Sequence, residues 1–176
     1  MEKCILYTYR SATAKKPINK ELTDQSLEDT YQHLPQNTAK QLKEKIFNLS
    51  NEIKLEIQKI KKRNLPVREQ IFALQELSQN NFYYDQNYAD WRNKAGDKIE
   101  NRMNQARIVG QTNNKAYAGV CAEANILMCQ ILREAGIHSG LASGFFCEEK
   151  SIKNTDAHSV AFSILPNQEG QLDIYY

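Results

Sequence analysis

Residues 120 to 135 read Val-Cys-Ala-Glu-Ala-Asn-Ile-Leu-Met-Cys-Gln-Ile-Leu-Arg-Glu-Ala, between Gly119 and Gly136. This stretch is apolar on nearly every side, so it predicts a helix buried all round rather than one lying on a surface. Gly136 terminates it, because a residue free to turn left-handed ends a helix well. Downstream the texture is that of strands. Ile137 to Phe146 reads as a strand holding Gly140 and Gly144, Cys147 to Thr155 as a charged loop, and Ser159 to Leu165 as an alternating strand. Pro166 to Gly170 then makes a turn and Gln171 to Tyr176 a final strand. A buried helix followed by an antiparallel meander gives an α+β class.

Upstream the pattern is helical. Leu42, Ile46, Leu49, Ile53, Ile57 and Ile60 recur at steps of three or four, which predicts one amphipathic helix over 38–63. Lys61-Lys62-Arg63 suit its negative end. Asn64-Leu65-Pro66 interrupts, and a second helix begins with Pro66 in its first turn and ends near Asn80-Asn81. A third is predicted from Asp90 to Arg107 across Gly96, with Trp91, Ala95, Ile99 and Met103 on one side. The first 37 residues are irregular, with a short strand over Cys4–Tyr9. The organisation is therefore an N-terminal arm with a helix (1–64) and a core (65–176). The 38–63 stripe is expected to fold back on the core. Its near-heptad spacing also suits a helix-mediated protein partner or a homo-oligomer.

Composition excludes several classes. Over 176 residues, 41% are hydrophobic and 25% charged, a globular balance. Mean hydropathy is −0.65, and no apolar run approaches the roughly 18 residues of a membrane span. The start, Met1 to Tyr7, lacks the apolar stretch of a secretory signal, so a cytoplasmic chain is expected, with signal-less secretion left open. Residues 1–115 hold 20 Lys/Arg against 14 Asp/Glu, and residues 116–176 hold 3 against 7. That asymmetry is too mild for a nucleic-acid footprint. Cys4, Cys121, Cys129 and Cys147 form no C-x-x-C pair and have no His at zinc spacing. Free thiols are expected, with no metal and no cofactor.

One thiol stands apart. Cys121 lies in the first turn of the buried helix, where unpaired N–H groups and a partial positive charge favour a thiolate and can hold an oxyanion. Such a nucleophile needs a base, and His158 opens a later strand. Asp173, on the next strand, is the best group to orient the imidazole. The turn length decides whether it can. A two-residue turn sets Asp173 opposite Val160 and a four-residue turn opposite Phe162, both on the His158 face. Turns of three or five residues send it to the other face unless a bulge intervenes. Asp156 is the alternative orienter. Gln111 and Trp91 are the candidate oxyanion partners beside the Cys121 amide. Cys129 is expected in the core, Cys4 and Cys147 are incidental, His138 is a surface or strand residue, and His33 lies in the arm.

Gly119-Val120-Cys121, then Leu132-Arg133-Glu134-Ala135-Gly136-Ile137, Ser143-Gly144-Phe145, Asp156-Ala157-His158 and Gln171-Leu172-Asp173 together resemble the transglutaminase-like superfamily over about 65–176. The resemblance implies a papain-like α+β fold, with the Cys-bearing helix packed on an antiparallel sheet. It implies Cys121 as nucleophile, His158 as general base and acid, and Asp173 as orienter. The activity implied is cysteine-dependent acyl transfer or hydrolysis at an amide bond of a protein or peptide, through an acyl-enzyme. Both protease or amidase and protein-glutamine acyltransferase chemistry occur in the family. Val160 stands where the family has an aromatic residue, and Ile174-Tyr175 replaces the usual Pro-Thr pair. These departures, and a sheet expected to be clipped after Asp173, suit the alternative of an inactive scaffold that binds partners through its arm.

Overall fold

The computed structural model describes residues 24–145, 157–167, 169 and 171–175. The elements run α1 (Asp24–Tyr31), α2 (Gln36–Lys43), α3 (Asn51–Lys62), α4 (Val67–Asn80), β1 (Phe82–Tyr84), α5 (Ala89–Ala95) and α6 (Ile99–Thr112). They continue with β2 (Tyr117–Gly119), α7 (Cys121–Ala135), β3 (Ser139–Phe145), β4 (Ala157–Pro166) and β5 (Leu172–Tyr175). The expected strand over Cys4–Tyr9, the charged loop with Cys147, and Asp156 lie outside the described residues.

Helix α7 is the centre of the packing. Ile126, Leu127, Cys129, Ile131, Leu132 and Ala135 are buried along it, and Gly136 closes it in the left-handed conformation. Beside it β3, β4 and β5 form an antiparallel sheet in that order. Alternation along β4 separates two faces. Leu165 joins the core with Leu141 and Tyr175, and Ser139 Oγ donates to the Cys129 carbonyl, so the odd-numbered residues of β4 face α7. Phe162, on the other face, covers Gly140, where a Cβ would lie 2.5 Å from its ring.

The 38–63 stripe folds back as expected, but not as one helix. Ile53, Ile57 and Ile60 of α3 are buried in the same core as α7, so the core runs across the boundary drawn at residue 64. Between α2 and α3 the chain leaves the helix because α7 and β2 take its backbone groups. The buried Gln130 Oε1 accepts from the N–H groups of Ile46 and Phe47, Arg133 donates to the Glu44 carbonyl, and Ser50 N–H donates to the Tyr117 hydroxyl. Ser50 then caps α3, its Oγ accepting from Ile53 N–H. The predicted 90–107 helix also divides, into α5 and α6, at Gly96 with φ +71°. The polar stretch before Gly119 holds an unforeseen strand: β2 pairs with β1 in parallel, Tyr84 opposite Gly119.

Candidate active site at the start of helix α7

The turn into α7 is built from buried polar groups. Glu123, two residues past Cys121, is fully buried and ion-paired with Arg102 of α6. Its Oε2 also accepts from Val120 N–H at 3.1 Å. A buried carboxylate needs such partners, since an unpaired one is prohibitively costly to desolvate. Gly119 makes room for it. A Cβ at that position would lie 2.6 Å from Glu123 Cβ, and its φ of +148° is one that side chains rarely adopt. The Gly119 carbonyl is held by Asp85 N–H at 2.8 Å. The first helical bond runs from Ala124 N–H to the Val120 carbonyl, so the amides of Cys121 and Ala122 precede the ladder, as the first donors of a helix do. Cys121 itself is a half-buried free thiol.

Asn125, one turn further on, connects this turn to the sheet. Its Nδ2 donates to the carbonyls of Cys121 and Ser159, each at 2.8 Å, and its Oδ1 accepts from Ala161 N–H at 2.9 Å. The turn carrying Cys121 is thereby tied to β4 at the residue next to His158. His158 is exposed, opposite Gly144 in the register with β3, and its even number sets its side chain on the sheet face away from α7, so what the structure ties to the Cys121 turn is the backbone of its neighbour Ser159.

Asp173 is elsewhere. It pairs with Leu165, seven residues along β4 from His158 and therefore on the opposite face. The turn spans the five residues 167–171, the odd count that sets Asp173 on the sheet face opposite to that of His158 rather than on the face expected for orienting the imidazole. Asn167 builds that turn: its Oδ1 accepts from Glu169 N–H and Gln171 N–H, and its N–H donates to the Gln171 carbonyl at 2.7 Å. Asn167 Nδ2 donates to Asp173 Oδ2 at 3.2 Å, which gives this carboxylate a place in the turn.

The remaining candidates sort clearly. Trp91 is buried with its Nε1–H donating to Asp85 Oδ2 at 2.8 Å, a structural bond within the β1–α5 link. Gln111 is exposed on α6. Cys129 is buried, and burial pushes its thiol up. His33 is exposed. His138 is not a surface residue: it is 5% exposed and stacks on Tyr31 with ring centroids 3.7 Å apart. Burial, with Lys43 and Arg133 adding to it, lowers its pKa to about 4. A cavity of about 300 Å³ lies between α4, β1 and α7, lined among others by Gln79, Phe82, Tyr84, Asn125 and Met128. Ala124, Asn125 and Met128 stand three, four and seven residues after Cys121, so this cavity runs along the helix face that begins at the thiol.

The sequence model of the transglutaminase-like superfamily matches residues 53–169, two thirds of the chain. The chain belongs to the transglutaminase-like superfamily. The superfamily match contains Cys121 and His158 and ends before Asp173. Among solved structures the chain is similar to the crystal structure of the periplasmic domain of TgpA from Pseudomonas aeruginosa, with 14% sequence identity and a TM-score of 0.43. That similarity covers 89% of this chain and 48% of the other, so the chain spans about half the length of the structure it resembles. No curated protein matches. Among the described residues of this superfamily member, no helix is long and apolar enough to cross a membrane, and no cluster of ligating side chains could hold a metal ion.

Proposed function

We propose that the protein is a cysteine enzyme of the transglutaminase-like type, acting on an amide bond of a protein or peptide. The Cys121 thiolate attacks the carbonyl carbon, and the oxyanion is held by the first amides of α7. The imidazolium of His158 gives its proton to the leaving nitrogen as the C–N bond breaks, which leaves a thioester on Cys121. Water or a second amine then attacks the thioester, His158 takes its proton, and the thiolate departs. The acyl donor lies along the cavity between α4, β1 and α7.

The observation that carries the reading is the Asn125 connection, which joins the Cys121 turn to Ser159 beside His158. The family match over both residues supports it. Hydrolysis is favoured over transfer to an amine, because water is the default acceptor unless a site excludes it.

The test is iodoacetamide alkylation of Cys121 across pH, read by peptide mass spectrometry, in the native chain and in His158→Ala. Reaction that persists at pH 6 and is lost in the variant is the expected result. Trapping of a Cys121 thioester from peptide amides, cleaved by hydroxylamine, would then identify donors. A Cys121 indifferent to His158 at every pH would sink the proposal.

A further inference from the structure

The Asn125 carboxamide has two N–H donors and one carbonyl oxygen, and all are engaged by backbone groups. Its two hydrogens meet the carbonyls of Cys121 and Ser159, and its oxygen meets Ala161 N–H. The orientation is forced. A flipped amide would set an oxygen against two carbonyls and an NH₂ against an N–H. Among the described residues, strand β5 pairs with β4 from Ser163 onward, Ser163 lying opposite Tyr175. Ala161 and Ser159 share the parity of Ser163, so their backbone groups point to the same edge. Asn125 therefore serves, beyond the last described pair of β5, as the hydrogen-bonding neighbour that a strand would have been.

From this we infer that Asn125 is a positioning residue: it sets the spacing between the turn that carries Cys121 and the strand that carries His158. The inference rests on the reading of those two residues as the reactive pair. It has a chemical signature beyond stability. Aspartate has the same shape but donates nothing, and it turns a carboxylate toward two carbonyl oxygens. Glutamine keeps the donors on a stem one methylene longer.

The experiment uses the full chain, with Asn125→Asp, Asn125→Ala and Asn125→Gln set against Ser139→Ala. The last removes a bond of the same kind at the far end of α7, where Ser139 Oγ donates to the Cys129 carbonyl at 2.9 Å. Iodoacetamide alkylation of Cys121 is followed from pH 5 to 9, and hydrogen exchange at the Ala161 amide by NMR. In Asn125→Asp and Asn125→Ala the His158-dependent alkylation at pH 6 is expected to fall by about tenfold or more, and Ala161 exchange to rise by a similar factor, on the scale of one lost hydrogen bond to a backbone group. Asn125→Gln should recover part of both. Ser139→Ala should move neither, even at an equal drop in melting temperature. A His158-dependent profile that survives Asn125→Asp, or an Ala161 amide equally protected in Asn125→Ala, overturns the positioning role alone. A native chain with no His158-dependent alkylation overturns the pair, and this role with it.

Discussion

The start of α7 and the β4–β5 hairpin each hold a residue that the sequence offers as a member of one triad, and the structure treats them differently. At the helix start, Gly119, Val120, Glu123 and Asn125 all act within one or two turns of Cys121. A helix fixes those spacings, so the identities of neighbouring residues determine where the thiol sits. At the hairpin, the position of Asp173 depends on a count of loop residues. One extra residue reverses the face of everything after it. Local periodicity thus carries a site residue to its place dependably, whereas a turn carries it only as well as its length is known.

The largest expected effect tests that difference directly. Cys121→Ala should abolish acyl-enzyme formation, since it leaves no sulfur to acylate, and His158→Ala should lower it by about a thousandfold or more, as removal of the base does. Asp173→Asn should leave the rate within a few-fold, because its carboxylate belongs to the turn. Rates of thioester formation from one peptide amide, compared across the three variants, decide it. A thousandfold loss in Asp173→Asn would restore the triad and break the comparison.

Next in size are the buried groups at the helix start. Arg102→Met leaves the fully buried Glu123 carboxylate without its cation. Breaking such a pair costs about 3–5 kcal/mol. Urea unfolding should show this as a shift in midpoint at constant slope. Gly119→Ala should also destabilise, by 1 kcal/mol or more, through both its positive φ and the Glu123 side chain it meets. On the hairpin side, Asn167→Ala removes a hub of turn bonds and should cost about 1–3 kcal/mol. If Asn167→Ala proves costlier than Arg102→Met, the hairpin is the better-anchored region and the contrast fails.

What was legible followed the same divide. The bounds of α7, its burial and its Gly136 stop could be read because a run without a polar face has few other uses. The split of the 38–63 stripe could not, since it depends on Gln130, Arg133 and Tyr117, which are distant in sequence. Gly96 was visible, but a helix interrupted at one glycine and a helix passing through it share a periodicity. The parallel β1–β2 pair is three residues per strand, too short to alternate visibly. At the site, helix position and strand pattern make Cys121 and His158 legible as candidates. Glu123 gives no signal by itself, because an acidic residue in a first turn is ordinarily a solvated capping group. The Gly119-to-Glu123 spacing was the signal, and it becomes meaningful only once Arg102 is known to face it.

The last test separates the two regions by pH. His138 N–H donates to the Tyr31 hydroxyl, which in turn donates to the Ile164 carbonyl at 2.7 Å, while Ile164 N–H donates to the His138 carbonyl. This histidine therefore braces β4 two residues from Pro166, where the hairpin turns. Its Nδ1 is buried with no hydrogen-bond partner among the described residues, and Lys43 and Arg133 are the charges nearest in effect. With a folded pKa lowered to about 4, the fold holds it neutral, whereas the unfolded chain titrates near the ordinary value of about 6.5. The stability it contributes is whole above pH 6.5 and is lost as the pH falls toward 4, with a slope of at most about 1.4 kcal/mol per unit for one proton. Hydrogen exchange should show the β4–β5 amides opening over that window while the amides after Cys121 stay protected. His138→Phe, which keeps the ring on Tyr31 and removes the titration, should flatten the hairpin's response. Equal opening of both regions in the native chain would mean that the helix start and the hairpin unfold as one unit.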